Sequence, residues 1–229
     1  QRYLGTKAAG LTIVTAERAG SRLVFDVAVA STTGHKLPTA YPSRRAWLHV
    51  VVTDAAGAVL FESGALRTDG GIAGNDNDID GTRFEPHYTE LTSGDQVQIY
   101  ESIMTDQGGA VTTGLLRGVR YVKDNRLLPR GFDKTTAPEE VAVRGGAAAD
   151  VDFVAGGDRV RYRVDVGGAA GGPVHVVAEL LYQSIGYRWA ENLRGYDSDE
   201  TRRFVRYYGE NAAATGSLLA RVSTEIPAR

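Results

Sequence analysis

Cysteine is absent from the 229 residues, and that one absence removes a long series of chemistries. Without thiols the chain holds no disulfide, Cys-ligated zinc, iron–sulfur cluster, thiol nucleophile or C-x-x-C-H haem attachment. The compartment stays open, because a chain of this length buries a core that is stable without disulfides in either redox environment. Long apolar runs are missing too, and nothing approaches the roughly 18 residues that cross a bilayer as a helix. The opening QRYLGTKAAG has neither region of a signal peptide, so the sequence reads as mature or excised. Charge of one sign is scarce: Lys+Arg number 26 against 28 Asp+Glu, a formal net charge of −2. The signs are mixed along the whole chain, leaving no basic stripe of the kind nucleic-acid binders use. There is no G-x-S-x-G elbow, no H-E-x-x-H helix and no phosphate-cradling glycine loop. Glu85, Glu90 and Glu101 offer carboxylates, but any acidic surface does, so the chain is expected not to be an enzyme by itself.

What is present is alternation. In RLVFDVAVAS (22 to 31), Leu23, Phe25, Val27 and Val29 fall on one face, and Ala19, Gly20 and Ser21 separate this run from LTIVTAE in the manner of a hairpin. AWLHVVVTD (46 to 54) and VLFES (59 to 63) flank DAAGA as a second hairpin. DQVQIYESIMTD (95 to 106), DRVRYRVDV (158 to 166), VHVVAELLYQS (174 to 184) and SLLARVSTEI (217 to 226) add further strands. Seven or eight strands with glycine-rich turns predict a mainly β protein, a β-sandwich with elaborated loops. One helix is expected at about 198–212, with Asp197 or Ser198 as N-cap and Phe204, Tyr207 and Tyr208 at i, i+3 and i+4. In TTGLLRGVRYVKDNRLLPRGF (112 to 132), Leu115, Leu116, Val119 and Val122 suit a helix, whereas the β-branched and aromatic content suits a strand, the reading preferred here. The small, glycine-rich stretch 143–157 reads as a connection and a possible subdomain boundary within a single domain, 1–229.

Two loops hold the candidate chemistry. His35 stands between Gly34 and Lys36 in a turn punctuated by Pro38 and Pro42, immediately before a strand, so the loop displays its imidazole instead of burying it. In GNDNDIDGTRFEPHY (74 to 88), Asp76, Asp78 and Asp80 alternate ahead of Gly81, the first half of a D-x-D-x-D-G calcium loop. The twelfth-position glutamate is replaced by His87, and Glu85 lies two residues early. A calcium site and a solvated acidic turn are both compatible with this half-match, and a transition-metal site using His87 ranks below them. His49 alternates with Trp47 and Val51 and reads as a packed or satisfied polar neighbour; His175 reads as solvent-facing. Tyr41, Trp47, Tyr187 and Trp189 are candidate contact aromatics, although strand-borne rings are more often core.

The run TTGHKLPTAYPSRRAWLHVVV (32 to 52), with GNDNDIDGTRFEPHY, QVQIYE (96 to 101), the 112–132 stretch, DRVRYRVDV and ELLYQSIGYRWAENLRGY (179 to 196), resembles the haem-free C-terminal immunoglobulin-like β-domain of periplasmic multihaem c-type cytochromes. The likeness spans nearly the whole chain, and its most specific piece is G-H-K-L-P-T, similar to the family's G-H-x-x-P-T-G loops. Ala40 stands where glycine is usual, and every C-x-x-C-H motif is absent, so any haem c belongs to a neighbouring module. The resemblance implies an accessory domain in electron transfer, periplasmic or extracellular. Its partners would be a haem-bearing cytochrome module and redox proteins. His35 would be a distal axial ligand, with Lys36, Arg44 and Arg45 as cofactor-facing cations, one arginine neutralising a propionate. The alternative is a calcium-stabilised extracellular binding or adhesion module.

Overall fold

The computed structural model describes residues 7–169 and 172–228. Strands β1 (Ala9–Ala19) and β2 (Arg22–Ser31) form the expected first hairpin, turning at Gly20, whose φ of 59° lies in the left-handed region that glycine enters without a Cβ penalty. β3 (Arg45–Asp54) and β4 (Val59–Ser63) form the second. β5 (Glu90–Leu91), β6 (Ile99–Tyr100), β7 (Ser102–Thr105), β8 (Val111–Thr112) and β9 (Arg120–Asp124) are short. β10 (Gly157–Asp165), β11 (Val174–Gln183) and β12 (Ser217–Ile226) complete the framework.

These strands make a mainly β architecture of three sheets. One has the order β1-β2-β10-β5, the second β12-β11-β3-β4 with β6 on the start of β3, and the third, smaller sheet is β8-β7-β9. The two larger sheets enclose the main core. Leu23, Phe25, Val27 and Val29 of β2 face Leu48, Val50 and Val52 of β3 and Val174, Val176, Ala178 and Leu180 of β11 in one continuous apolar cluster. Each such side chain contributes about 1.5–3 kcal/mol on leaving water, and this burial is why period-two alternation fixes the register. Tyr162 of β10 stacks on Phe25 at 5.1 Å and meets Phe61 of β4 edge-on at 6.3 Å, joining the two layers.

The 143–157 stretch is not peripheral to this core, since Val143, Ala147 and Phe153 lie within it. Nor is 95–106 one strand. Glu101 breaks it, its N–H being taken by Asn125 Oδ1 at 3.0 Å and its carboxylate by Lys123 at 2.9 Å, so β6 joins one sheet and β7 another. In 112–132 the regular parts are Thr112, at the end of β8, and Arg120–Asp124, and the leucines between them form an exposed turn.

The expected C-terminal helix is α3 (Asp199–Asn211), capped by Ser198 in a reciprocal box with Thr201. Two helices were not foreseen: α1 (Asp76–Ile79), a single turn, and α2 (Tyr187–Leu193). Tyr208 of α3 and Ala190 of α2 share a small core. A second one, of Trp47, Ile72, Val97 and Ile99, covers the outer face of β3 where it begins.

Candidate functional site

The His35 loop runs from the end of β2 to the start of β3 and is clamped along its length. Leu37 exchanges both backbone hydrogen bonds with Leu127 at 2.9 Å, and Leu37 and Pro38 are buried. Thr33 Oγ1 donates to the His35 carbonyl at 2.6 Å, and Arg44 Nη1 donates to the Thr39 carbonyl at 3.1 Å. Ala40 has a φ of 61°, so alanine here adopts the backbone conformation for which glycine is better suited. On this fixed frame His35 is exposed. Among the described residues nothing hydrogen-bonds or ion-pairs with its ring.

Its three cationic neighbours divide sharply. Lys36 turns inward, its ammonium 2.8 Å from Asp124, whose carboxylate also takes Arg126 at 2.7 Å. Burial of the Lys36 ammonium outweighs the attraction of Asp124 and holds it below the usual lysine value. For Asp124 the balance goes the other way: burial would raise the carboxyl, but the hydrogen bonds from Arg126 and Lys36 prevail and hold it down. Arg45 is buried, with Nη1 2.9 Å from both oxygens of Asp78 and Nε 2.8 Å from Gln183 Oε1. Lys36 and Arg45 are therefore engaged inside the fold, and neither guanidinium nor ammonium faces outward for a cofactor. Arg44 is half-buried and meets no carboxylate among the described residues.

Among the described residues the carboxylates of the acidic loop do not converge on one point. Asp78 is drawn away by Arg45 and accepts the Ile72 N–H at 2.8 Å. Asp76 pairs with Arg83. Asp80 folds onto its own turn, where the backbone and side-chain hydrogen bonds of Thr82 hold its carboxyl below the ordinary value. Glu85 is buried; Oε1 accepts from the Asp76 N–H at 3.3 Å. Burial raises its carboxyl, the Tyr88 hydroxyl and the Asp76 N–H only partly opposing this. In this arrangement these side chains and His87 answer to different partners.

His87 belongs instead to a buried polar network that the sequence did not disclose. Gln98 Oε1 accepts the Tyr88 N–H at 2.9 Å and Asn125 Oδ1 accepts the Glu101 N–H at 3.0 Å. Those two backbone donors fix both amide orientations, so both NH₂ groups must donate elsewhere. Gln98 Nε2 donates to His87 Nδ1 at 2.9 Å and to Asp158 Oδ2 at 3.1 Å; Asn125 Nδ2 donates to His87 Nδ1 at 3.0 Å and to the Ile99 carbonyl at 2.8 Å. Nδ1 is thus an acceptor and Nε2 carries the proton, which it donates to Asp150 Oδ2 at 2.9 Å. Tyr100 donates its hydroxyl to Asp158 Oδ2 at 2.8 Å. Burial raises the Asp158 carboxyl against the opposing hydrogen bonds of Tyr100 and Gln98. His87, Asp150 and Asp158 have metal-like spacing, yet N–H and O–H donors already converge on their lone pairs, and the cluster is a structural one. The available sequence signal was Gln98 and Tyr100 on one face of a strand with apolar Val97 and Ile99 on the other.

The remaining candidates fall as the alternation implied. His49 is a satisfied polar neighbour, with Nε2 2.8 Å from Glu62 and Nδ1 3.2 Å from Glu179. His175 is solvent-facing, 3.6 Å from Glu225. Trp47 is core, donating Nε1–H to the Gly64 carbonyl at 2.8 Å. Tyr187 is flanked by the guanidinium groups of Arg67 and Arg188 at 5.7 and 5.9 Å. Tyr41 and Trp189 meet edge to face at the surface, 5.7 Å apart.

No family model matches the sequence, and no curated protein matches it. Among solved structures, the chain is similar to a penta-haem cytochrome c552 from Thermochromatium tepidum, with a TM-score of 0.49 and 15% identity over 98% of this chain. The chain spans 41% of that cytochrome's length.

Proposed function

We propose that this chain is an accessory β-domain of a multihaem c-type cytochrome, packing against the haem-bearing module and offering His35 as a distal ligand. The observation that carries this reading is the state of the His35 ring. It is exposed on a clamped loop, while the other three histidines each lie beside at least one carboxylate. An imidazole nitrogen with no internal partner is the donor that a bis-histidine haem requires beyond its own attachment histidine. Clamping by Leu127 limits the conformational freedom lost on ligation. Arg44 is the cation of the predicted set still open to a propionate; Lys36 and Arg45 act instead as anchors of the loop and of the strand that follows. The haem supplies the electron transfer, and the β-domain contributes position, partner contact and one nitrogen. In this reading the chain catalyses nothing alone and works in the periplasm or outside the cell.

The test is the intact mass and the reduced-minus-oxidised visible spectrum of the polypeptide purified from its native source. A mass well above 24.5 kDa with c-type haem bands supports the proposal. A colourless protein of that mass, isolated without any haem-bearing partner, overturns it.

A further inference from the structure

A concave apolar groove of about 530 Å³ lies where five segments meet. Its walls are Tyr41 from the His35 loop, Leu115 and Leu116 from the turn before β9, Trp189 of α2, Tyr196 between the helices and Phe204 of α3. The volume falls in the range of small-molecule sites, roughly 300–1,000 Å³. Leu116 is fully exposed and Tyr41 and Tyr196 are about half exposed, so the groove presents apolar and aromatic surface that its own fold leaves uncovered.

One end of the groove is cationic. A smaller depression shares Thr113, Arg117 and Asn192 with it and ends at Arg188. Arg117 and Arg188 form no salt bridge among the described residues, although Arg188 donates to the backbone carbonyls of Asn77 and Asp78. The one acid lining the depression, Glu191, is held by Arg194 at 2.6 Å. Aromatic walls favour a ring system by stacking, and guanidinium groups favour a carboxylate or sulfonate.

We infer that this groove is a binding site for a planar aromatic anion, its rings between Trp189 and Leu116 and its charge toward Arg117 and Arg188. This site is separate from the haem-ligand reading, because neither His35 nor Arg44 lines the groove.

The test is titration of the full chain with 8-anilinonaphthalene-1-sulfonate, in parallel with its uncharged analogue N-phenyl-1-naphthylamine. Binding is read by dye emission and by quenching of tryptophan fluorescence. Trp189 lines the groove and Trp47 does not, so loss of quenching in Trp189→Phe assigns the signal to the groove. Saturable one-site binding of the anionic dye is expected. Leu116→Asp, at a position too exposed to disturb folding, should weaken it about tenfold, and Arg117→Gln about threefold to tenfold without affecting the neutral dye. Absence of saturable binding, binding that survives Leu116→Asp, or equal affinity for the two dyes overturns the inference.

Discussion

His87 and His35 carry the same ring in opposite surroundings. Around His87 both nitrogens are occupied, Nδ1 by two amide donors and Nε2 by Asp150, and its side chain is wholly buried. Around His35 the backbone is fixed by Leu37, Leu127 and Thr33, while the ring has no partner among the described residues. The difference separates two uses of one residue type. A saturated imidazole joins distant segments, here the 74–88 loop and the stretches carrying Gln98, Asn125 and Asp150. An unsaturated imidazole on a rigid support keeps a lone pair for something outside the chain.

The sharpest way to break the contrast is to remove the buried ring. His87→Ala leaves Asp150 without its donor and two amide N–H groups without their acceptor, and should cost about 4 kcal/mol in urea unfolding. A loss under about 1 kcal/mol would mean that the network is not structural. Arg45→Met should follow at about 3 kcal/mol, because Asp78 then stays buried without its cation. Hydrogen exchange should localise that loss to the 66–80 segment, which Arg45 holds through Asp78 and the Gly70 carbonyl.

A smaller effect of opposite sign belongs to Glu85. Its folded-state value is raised by burial, so its contribution to stability is fully present below the unfolded value of about 4.3. That contribution is lost as pH rises through the folded value. Glu85→Gln, which imitates the protonated form, should match the parent below about pH 4 and melt higher at pH 7. Equal melting temperatures at pH 7 would show that the carboxylate finds compensation there. The smallest stability effect should be that of His35→Ala, within about 0.5 kcal/mol, as for surface positions without internal partners.

Legibility in the sequence followed the range of the interactions. The hairpins were readable because alternation is local, and Leu23 through Val29 could be assigned to a buried face without knowing what covers them. Ser198 could be read as a cap because its partner, Thr201, is three residues away. The break at Glu101 was hidden, since it depends on Asn125, which is 24 residues on. Helix α2 was hidden because Gly186 provides no side-chain cap and its Tyr-Arg-Trp start looks like strand. The same rule governs the sites. His35 announced its exposure through adjacent Gly34, Pro38 and Pro42. The Asp76–Asp80 half-motif did not disclose that Asp78 answers to Arg45, 33 residues earlier. Arg44 and Arg45 are chemically equivalent in the sequence, and only the start of β3 decides which of them is buried.

The most direct measurement is His35→Ala in the proposed haem-bearing protein, with the visible and near-infrared spectra, the haem potentials and the denaturation midpoint taken on one preparation. The account predicts that one haem loses its bis-histidine signature and shifts in potential while the midpoint stays unchanged. Unaltered spectra and potentials for every haem would contradict it, and His35 would then be only a residue of the turn.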